Sequence, residues 1–181
     1  PDLPPAFTQA EAEARLQAVR AAMAGAGHAA LVIYGDREHA ANLHWLTGFD
    51  PRFEEAVLVV TAGDALLLVG NECLAYTVVS PLVAVGRVRT GLCASLSLPS
   101  QPRGTQRLWQ WLDGIIPAGA TIGAVGWKWF DAGELPPGQD PALALDIPAF
   151  LADPLRQRAG RVENATALFM HPGQGLRARV T

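Results

Sequence analysis

The residues able to do chemistry in this chain are few, and their spacing restricts what they can do. His39 and His44 stand five apart with Glu38 beside the first. Metal ligands on one helix converge at spacings of three or four, so no shared ion is expected from this pair. His28 and His171 are isolated in sequence, and solvated or hydrogen-bonded histidines are the expectation. Glu54-Glu55 is an adjacent carboxylate pair, but neighbours on a strand point to opposite faces, which argues against joint acid–base work. No Gly-x-Ser-x-Gly elbow presents a nucleophile, and Ser80, Ser95, Ser97 and Ser100 lie in turn-prone or ambiguous stretches far from any histidine. Cys73 and Cys93 form no CxxC pair and fit reduced thiols in a cytosol. The letters from Gly25 to Ala30 match the dinucleotide fingerprint GxGxxA, yet that chemistry needs a strand before the glycines and a helix after them. Here the order is reversed, so a helix C-cap is expected instead.

One short connection is richer. Residues 44–60, HWLTGFDPRFEEAVLVV, place aromatics, an arginine and two carboxylates immediately before an apolar run. An arginine suits a carboxylate through a two-pronged hydrogen-bonded pair, and an aromatic suits an apolar ring. The alternative is an arginine paired with Asp50 or Glu54 on the surface. Five tryptophans (Trp45, Trp109, Trp111, Trp127, Trp129) leave two readings open, core packing or an exposed aromatic surface for a partner.

The elements that position these residues follow from pattern. Thr8-x-x-Glu11 matches a capping box, and Ala12, Leu16, Val19 and Met23 form one apolar stripe on the helix behind it. The run AALVIY, Ala29 to Tyr34, reads as a strand buried on both faces. Asp36 can cap a short helix through Arg37–Leu43. Glu55–Thr61 and Ala65–Val69 read as strands of a hairpin. Residues 72–79 suit either helix or strand, and Leu82–Val88 suits a further strand. Thr105–Ile116 is expected helical, Thr121–Trp127 a strand, Ile147–Arg158 a helix, and Glu163–Met170 a last strand. A hairpin inside alternating elements predicts an α/β fold, a mixed sheet with helices on both faces.

Composition narrows the class further. Half the residues are apolar and 17% charged, so a sizeable core is expected in a single domain over 1–181. The net charge is −3 and Lys128 is the only lysine, which argues against nucleic acid. No apolar run approaches the ~20 residues that span a bilayer, and no leader pattern opens the chain. A cytoplasmic protein without membrane partners is expected. The predicted core strands carry no acid, base or nucleophile, and no catalytic residue or metal ligand is expected in this chain. The tail from Gly175 to Thr181 reads as the approach to another element, so residues 172–181 are expected to begin a linker in a longer parent.

Asn42-Leu43-His44-Trp45-Leu46-Thr47-Gly48-Phe49, followed by Glu55-Ala56-Val57-Leu58-Val59-Val60 and a Gly-Asp turn, resembles the N-terminal domain of the creatinase, aminopeptidase P and prolidase family. The passage from Asn164 to Arg177 is similar to that family's entry into its catalytic domain, and Trp45 stands where the family usually has Tyr. The resemblance implies a three-layer α/β/α domain with a mixed sheet and a ribonuclease-H-like motif. It implies a parent that hydrolyses an Xaa-Pro peptide bond or a creatine-like C–N bond. A divalent metal (Mn, Co or Zn) would belong to the catalytic domain beyond this chain, although creatinase works without one. The domain itself would be non-catalytic, pairing with its own catalytic domain and a second subunit, and its loop residues His44, Trp45, Arg52 and Phe53 would contact a peptide or small C–N bonded substrate. A freestanding interaction or small-ligand-binding module is the alternative.

Overall fold

The computed structural model of the chain describes residues 8–99 and 102–179. The segment 1–7, Ser100, Gln101, Val180 and Thr181 lie outside the described residues.

Helix α1 (Gln9–Gly25) starts where its cap predicts: Thr8 Oγ1 accepts from the Glu11 backbone N–H at 3.2 Å. The Glu11 carboxylate accepts from Arg15 at 2.5 Å. The expected stripe of Ala12, Leu16, Val19 and Met23 is buried. Six strands follow: β1 (Ala30–Gly35), β2 (Ala56–Thr61), β3 (Ala65–Val69), β4 (Arg89–Leu92), β5 (Thr121–Val125) and β6 (Arg161–Asn164). They form one sheet in the order β4-β3-β2-β1-β5-β6. β2 is antiparallel to β1 and β3, while the β1–β5, β5–β6 and β3–β4 pairs are parallel. The hairpin turn is set by Thr61, whose Oγ1 accepts from the Asp64 N–H at 3.0 Å.

Alternation along the strands builds two cores, as a sheet covered on both faces requires. Leu31, Ile33, Leu58 and Leu67 face α1, α2 (Ala41–Thr47), α3 (Pro81–Ala84) and α6 (Ala167–Met170). Ala30, Val32, Val57 and Leu66 face α4 (Leu108–Ile115) and α5 (Ala149–Arg158). Each fully buried Leu or Phe among them contributes about 1.5–3 kcal/mol. The predicted α/β/α layering and mixed sheet are what the chain adopts.

Several expected elements differ. The strand expected over Leu82–Val88 is instead α3 and the turn after it, and the neighbouring strand is β4. Ser80 Oγ accepts from the Val83 N–H at 3.5 Å and Pro81 opens the first turn, so a cap and a preset φ override the apolar pattern. The undecided stretch before it is a 3-10 helix, Leu74–Val79. The strand expected over Glu163–Met170 stops at Asn164, whose Oδ1 accepts from the Thr166 N–H at 3.0 Å and turns the chain into α6. Asp36 caps a turn rather than a helix through Arg37–Leu43, and α2 starts later, at Ala41.

Candidate functional site

Because β2 alone runs backwards, one edge of the sheet gathers the start of β2 and the carboxyl ends of the other five strands. The 44–60 connection lies on this edge. Thr47 Oγ1 donates to Leu43 O (2.8 Å) and accepts from the Phe49 N–H (3.0 Å), closing α2 against its own turn. Gly48 then takes a left-handed φ of 71°, which only glycine adopts without a steric cost. Phe49 is driven fully into the core.

The loop that follows splits its polar residues. Asp50 Oδ1 accepts from the Arg52 N–H at 3.1 Å, and Arg52 itself sits at φ 48°. Its guanidinium lies 4.5 Å from the Tyr76 ring centre and donates to the Tyr76 hydroxyl at 3.3 Å, so its side-chain partner is a tyrosine rather than Asp50 or Glu54. Phe53 is 69% exposed. Glu54 turns inward and is buried, accepting from the backbone N–H groups of Cys73 (3.0 Å) and Leu98 (3.1 Å). Space for its carboxylate exists because Gly70 has no side chain: a Cβ there would sit 2.5 Å from the Glu54 carboxyl carbon. Cys73 Sγ donates to Pro51 O at 2.9 Å. Burial pushes both cysteine thiols up, which keeps them protonated and poorly nucleophilic.

On the α4 side of this edge lies a cleft of about 520 Å³, lined among others by Asp36, His39, Phe53, Glu55, Ser95 and Leu98. Behind its lining residue Glu55 stands the Tyr34 hydroxyl, which donates to Glu55 Oε1 at 2.6 Å. Burial, then Glu55 and Asp36, push the Tyr34 phenol far above its ordinary value, so it stays a neutral donor. Partial burial works against the Asp36 charge. The N–H groups of His39 and Glu38 (2.7 and 2.8 Å), with the His39 ring, outweigh it and hold the carboxyl below its usual range. A depressed carboxylate stabilises the fold above its unfolded pKa and loses that contribution as pH falls through the folded value. Wild type is therefore expected to melt higher than Asp36→Asn at neutral pH. The gap should close as pH drops below about 4, near the unfolded Asp value. A gap unchanged down to acid pH in a thermal-melt titration would contradict this.

The four residues expected to contact substrate do not converge. His44 is exposed on α2. Trp45 is half-buried between the Phe169 ring (6.0 Å, edge-on) and the Arg15 guanidinium (5.0 Å), on the α1 face. Arg52 lies against Tyr76, and Phe53 alone borders the cleft. No group of three or more His, Cys, Asp or Glu among the described residues could hold a metal ion. The divalent metal of a hydrolase thus finds no fitting donor set in these residues.

The inward roles of Asn42 and Glu54 escape sequence reasoning. Asn42 is buried, donates to Gly126 O at 2.7 Å, and accepts from Arg177 at 2.8 Å, tying α2 to the end of β5 and to the tail. A polar residue inside the apolar face of a short helix is the signal for such a bond. His39 stacks on Trp127 with ring centres 4.5 Å apart, a contact across two strand ends that spacing could not reveal.

The geometry has counterparts among known proteins. The chain matches a dipeptidase, PepE, from Mycobacterium ulcerans at 22% identity and TM-score 0.53, covering 90% of this chain and 36% of that one. It matches the N-terminal creatinase/prolidase-like domain from Corynebacterium diphtheriae at 13% identity and TM-score 0.51, covering 85% of this chain and 95% of that one. An X-prolyl aminopeptidase from Caenorhabditis elegans matches at 15% identity and TM-score 0.51, over 84% of this chain and 24% of that one. At these identities the likeness is one of fold. The chain thus spans well under half the length of the two enzymes. No curated protein matches it. The family description Creatinase/Prolidase N-terminal domain matches residues 15–139, more than half the chain. With its fold and its 42–60 motif, the chain belongs to the Creatinase/Prolidase N-terminal domain family.

Proposed function

We propose that this domain is the non-catalytic N-terminal part of a cytoplasmic creatinase/prolidase-like hydrolase, one acting on Xaa-Pro peptides, and that it shapes substrate access and subunit pairing. The observation that supports this best is the Asp50–Glu54 loop. Its root is fixed from inside by Glu54 and Cys73, while Arg52 and Phe53 are held outward on a rigid base. A charged donor and an aromatic carried this way suit contact with a substrate carboxylate and a proline ring brought by a neighbouring catalytic domain. Any manganese, cobalt or zinc would be held in that domain, and a second copy of the chain would complete the dimer.

The test is an assay of the complete hydrolase on Xaa-Pro peptides with manganese, alongside the 181-residue chain alone. Turnover is expected from the first only. In the complete enzyme Arg52→Ala is expected to raise KM about tenfold, the scale of one lost charged hydrogen bond at ~1.4 kcal/mol, with the melting temperature kept. An unchanged KM would remove Arg52 from the substrate path, and turnover by the short chain would overturn the accessory role.

One observation favours a small-ligand module instead. An apolar cavity of about 620 Å³ between α1 and α6 is lined by Ala18, Ala22, Leu168 and Leu176, with His171 and Gln174 among its polar groups. That is the size and character of a ligand pocket. Saturable binding of an apolar fragment there, in a protein lacking any hydrolase partner, would favour this reading.

A further inference from the structure

The cavity between α1 and α6 holds a polar atom left without a partner among the described residues. His28, between α1 and β1, is one of its lining residues. Its side chain is only 5% exposed, and its Nδ1 is buried with no hydrogen bond. The other ring nitrogen, Nε2, lies 2.9 Å from Glu163 Oε2. Hydrogen bonds from Arg161 and then His28 outweigh partial burial and hold the Glu163 carboxyl below its usual range. At neutral pH Glu163 therefore only accepts. In the neutral imidazole Nε2 must bear the proton, which leaves Nδ1 a bare acceptor. Buried polar atoms are almost always paired, so an orphan beside a cavity points to a missing donor.

The rest of the lining sets the class of molecule that could supply that donor. Ala18 and Ala22 on α1 are short and leave room, while Leu168 and Leu176 add apolar surface. None of the described lining residues is Asp, Glu, Lys or Arg, so an anion or an ammonium would meet no counter-ion there. The exposed His171 repeats the pattern of His28. Its Nδ1 lies 3.0 Å from Pro172 O, which can only accept, so its Nε2 is again the acceptor. Asn164 is already spent, donating to Lys128 O and Ala144 O and accepting from the Thr166 N–H. Gln174 can give or accept and sets no preference. Two bare imidazole acceptors in uncharged, largely apolar walls select a neutral molecule that donates.

We propose that this cavity binds a small, neutral, apolar molecule carrying a hydroxyl group, a phenol or an alcohol of similar size, whose O–H donates to His28 Nδ1. The inference rests on the ligand-pocket reading of the cavity. It is separate from the Arg52 loop and holds with or without a hydrolase domain in the same polypeptide.

Three probes share one tolyl body and differ only in the group under test: p-cresol donates, p-xylene replaces the hydroxyl by a methyl, and p-toluate carries a charge. Each is titrated into the 181-residue chain labelled with nitrogen-15 at histidine, and the ring nitrogens are followed by NMR. p-Cresol is expected to bind saturably and move the His28 Nδ1 resonance. It should bind about tenfold more tightly than p-xylene, equivalent to ~1.4 kcal/mol, with p-toluate weakest. Ala18→Trp, a change on the exposed side of α1, fills the cavity and should abolish p-cresol binding. Equal affinity for p-cresol and p-xylene would overturn the inference while leaving the ligand-pocket reading intact. Tighter binding of p-toluate would overturn it too, since the site would then take anions. If none of the three binds, both fall, and Nδ1 pairs with water instead. Binding that survives Ala18→Trp places the ligand elsewhere and equally overturns the inference. Should the tryptophan variant not fold, the wild-type series and the Nδ1 resonance decide alone.

Discussion

Glu54→Ala is expected to lower stability by roughly 1.5–4.5 kcal/mol, because the buried Cys73 N–H costs about 1–3 kcal/mol when unsatisfied and the part-buried Leu98 N–H loses a bond worth about 0.5–1.5 kcal/mol. Cys73 and Leu98 lie on the loops after β3 and β4, and this one carboxylate bridges them. The volume the carboxylate vacates beside Gly70 adds to the loss. Glu54→Gln separates the causes. It keeps the volume and one acceptor oxygen but introduces an amide N–H with nothing to meet, so it should fall between wild type and alanine. Denaturant unfolding of the three proteins gives the order directly. Equal stability for wild type and alanine would mean that the Cys73 and Leu98 N–H groups find water, and the carboxylate would then not be the root of the loop. Because that root carries Arg52 and Phe53, the proposed accessory role predicts that the alanine variant of the complete enzyme also loses affinity for substrate, an effect expected of Arg52→Ala without the stability loss.

The second large effect is at Gly126. A Cβ on this residue would stand 2.8 Å from the Asp146 carbonyl carbon and closer still to its oxygen, both of them backbone atoms that cannot swing aside. The same residue donates from its N–H to Thr166 Oγ1 at 2.9 Å and accepts from Asn42 through its carbonyl at 2.7 Å. Gly126→Ala must therefore separate β5 from the 144–146 strap or abandon those bonds. Overpacking of this kind costs typically about 1–3 kcal/mol, and the lost bonds about 1 kcal/mol each. A total of roughly 3–5 kcal/mol is expected, read as a fall in denaturation midpoint with the slope unchanged. Asn42→Ala is the informative companion, since it removes the link to Arg177 without a clash. A Gly126→Ala protein as stable as wild type would show that the 144–146 strap is free to move.

How much of this was legible in the sequence depended on where the information lay. The capped α1, the hairpin and the alternation that makes two cores are local patterns, and they appear where the residues place them. The apolar run at Leu82 misled because Ser80 and Pro81 formed a cap that apolar letters do not reveal. Asn164 likewise turned a run that reads as strand into helix, its Oδ1 accepting from the Thr166 N–H. In the 44–60 connection, Leu46 and Phe49 do close the core, but Trp45 closes it only partly. The division of Asp50–Glu54 into an outward Arg52-Phe53 pair and an inward Glu54 was hidden. Both halves are polar letters in a loop, and what separates them is the pair of N–H groups at Cys73 and Leu98, far along the chain. The partners of Asn42 and His39 were hidden for the same reason: they come from the end of β5, and only the sheet order brings them near.

That sheet order also sets a schedule. β1 pairs with β2 through a short local connection, and with β5 only after the chain has closed a loop across β3, β4 and α4. Loop-closure entropy favours the local half first, so β1 to β4 can assemble before β5 and β6 arrive. On that schedule the Arg52 loop and its Cys73 anchor exist early, whereas the 126–130 turn and the grip on Arg177 form last. During synthesis the segment that holds the tail would lock only once everything before it is in place.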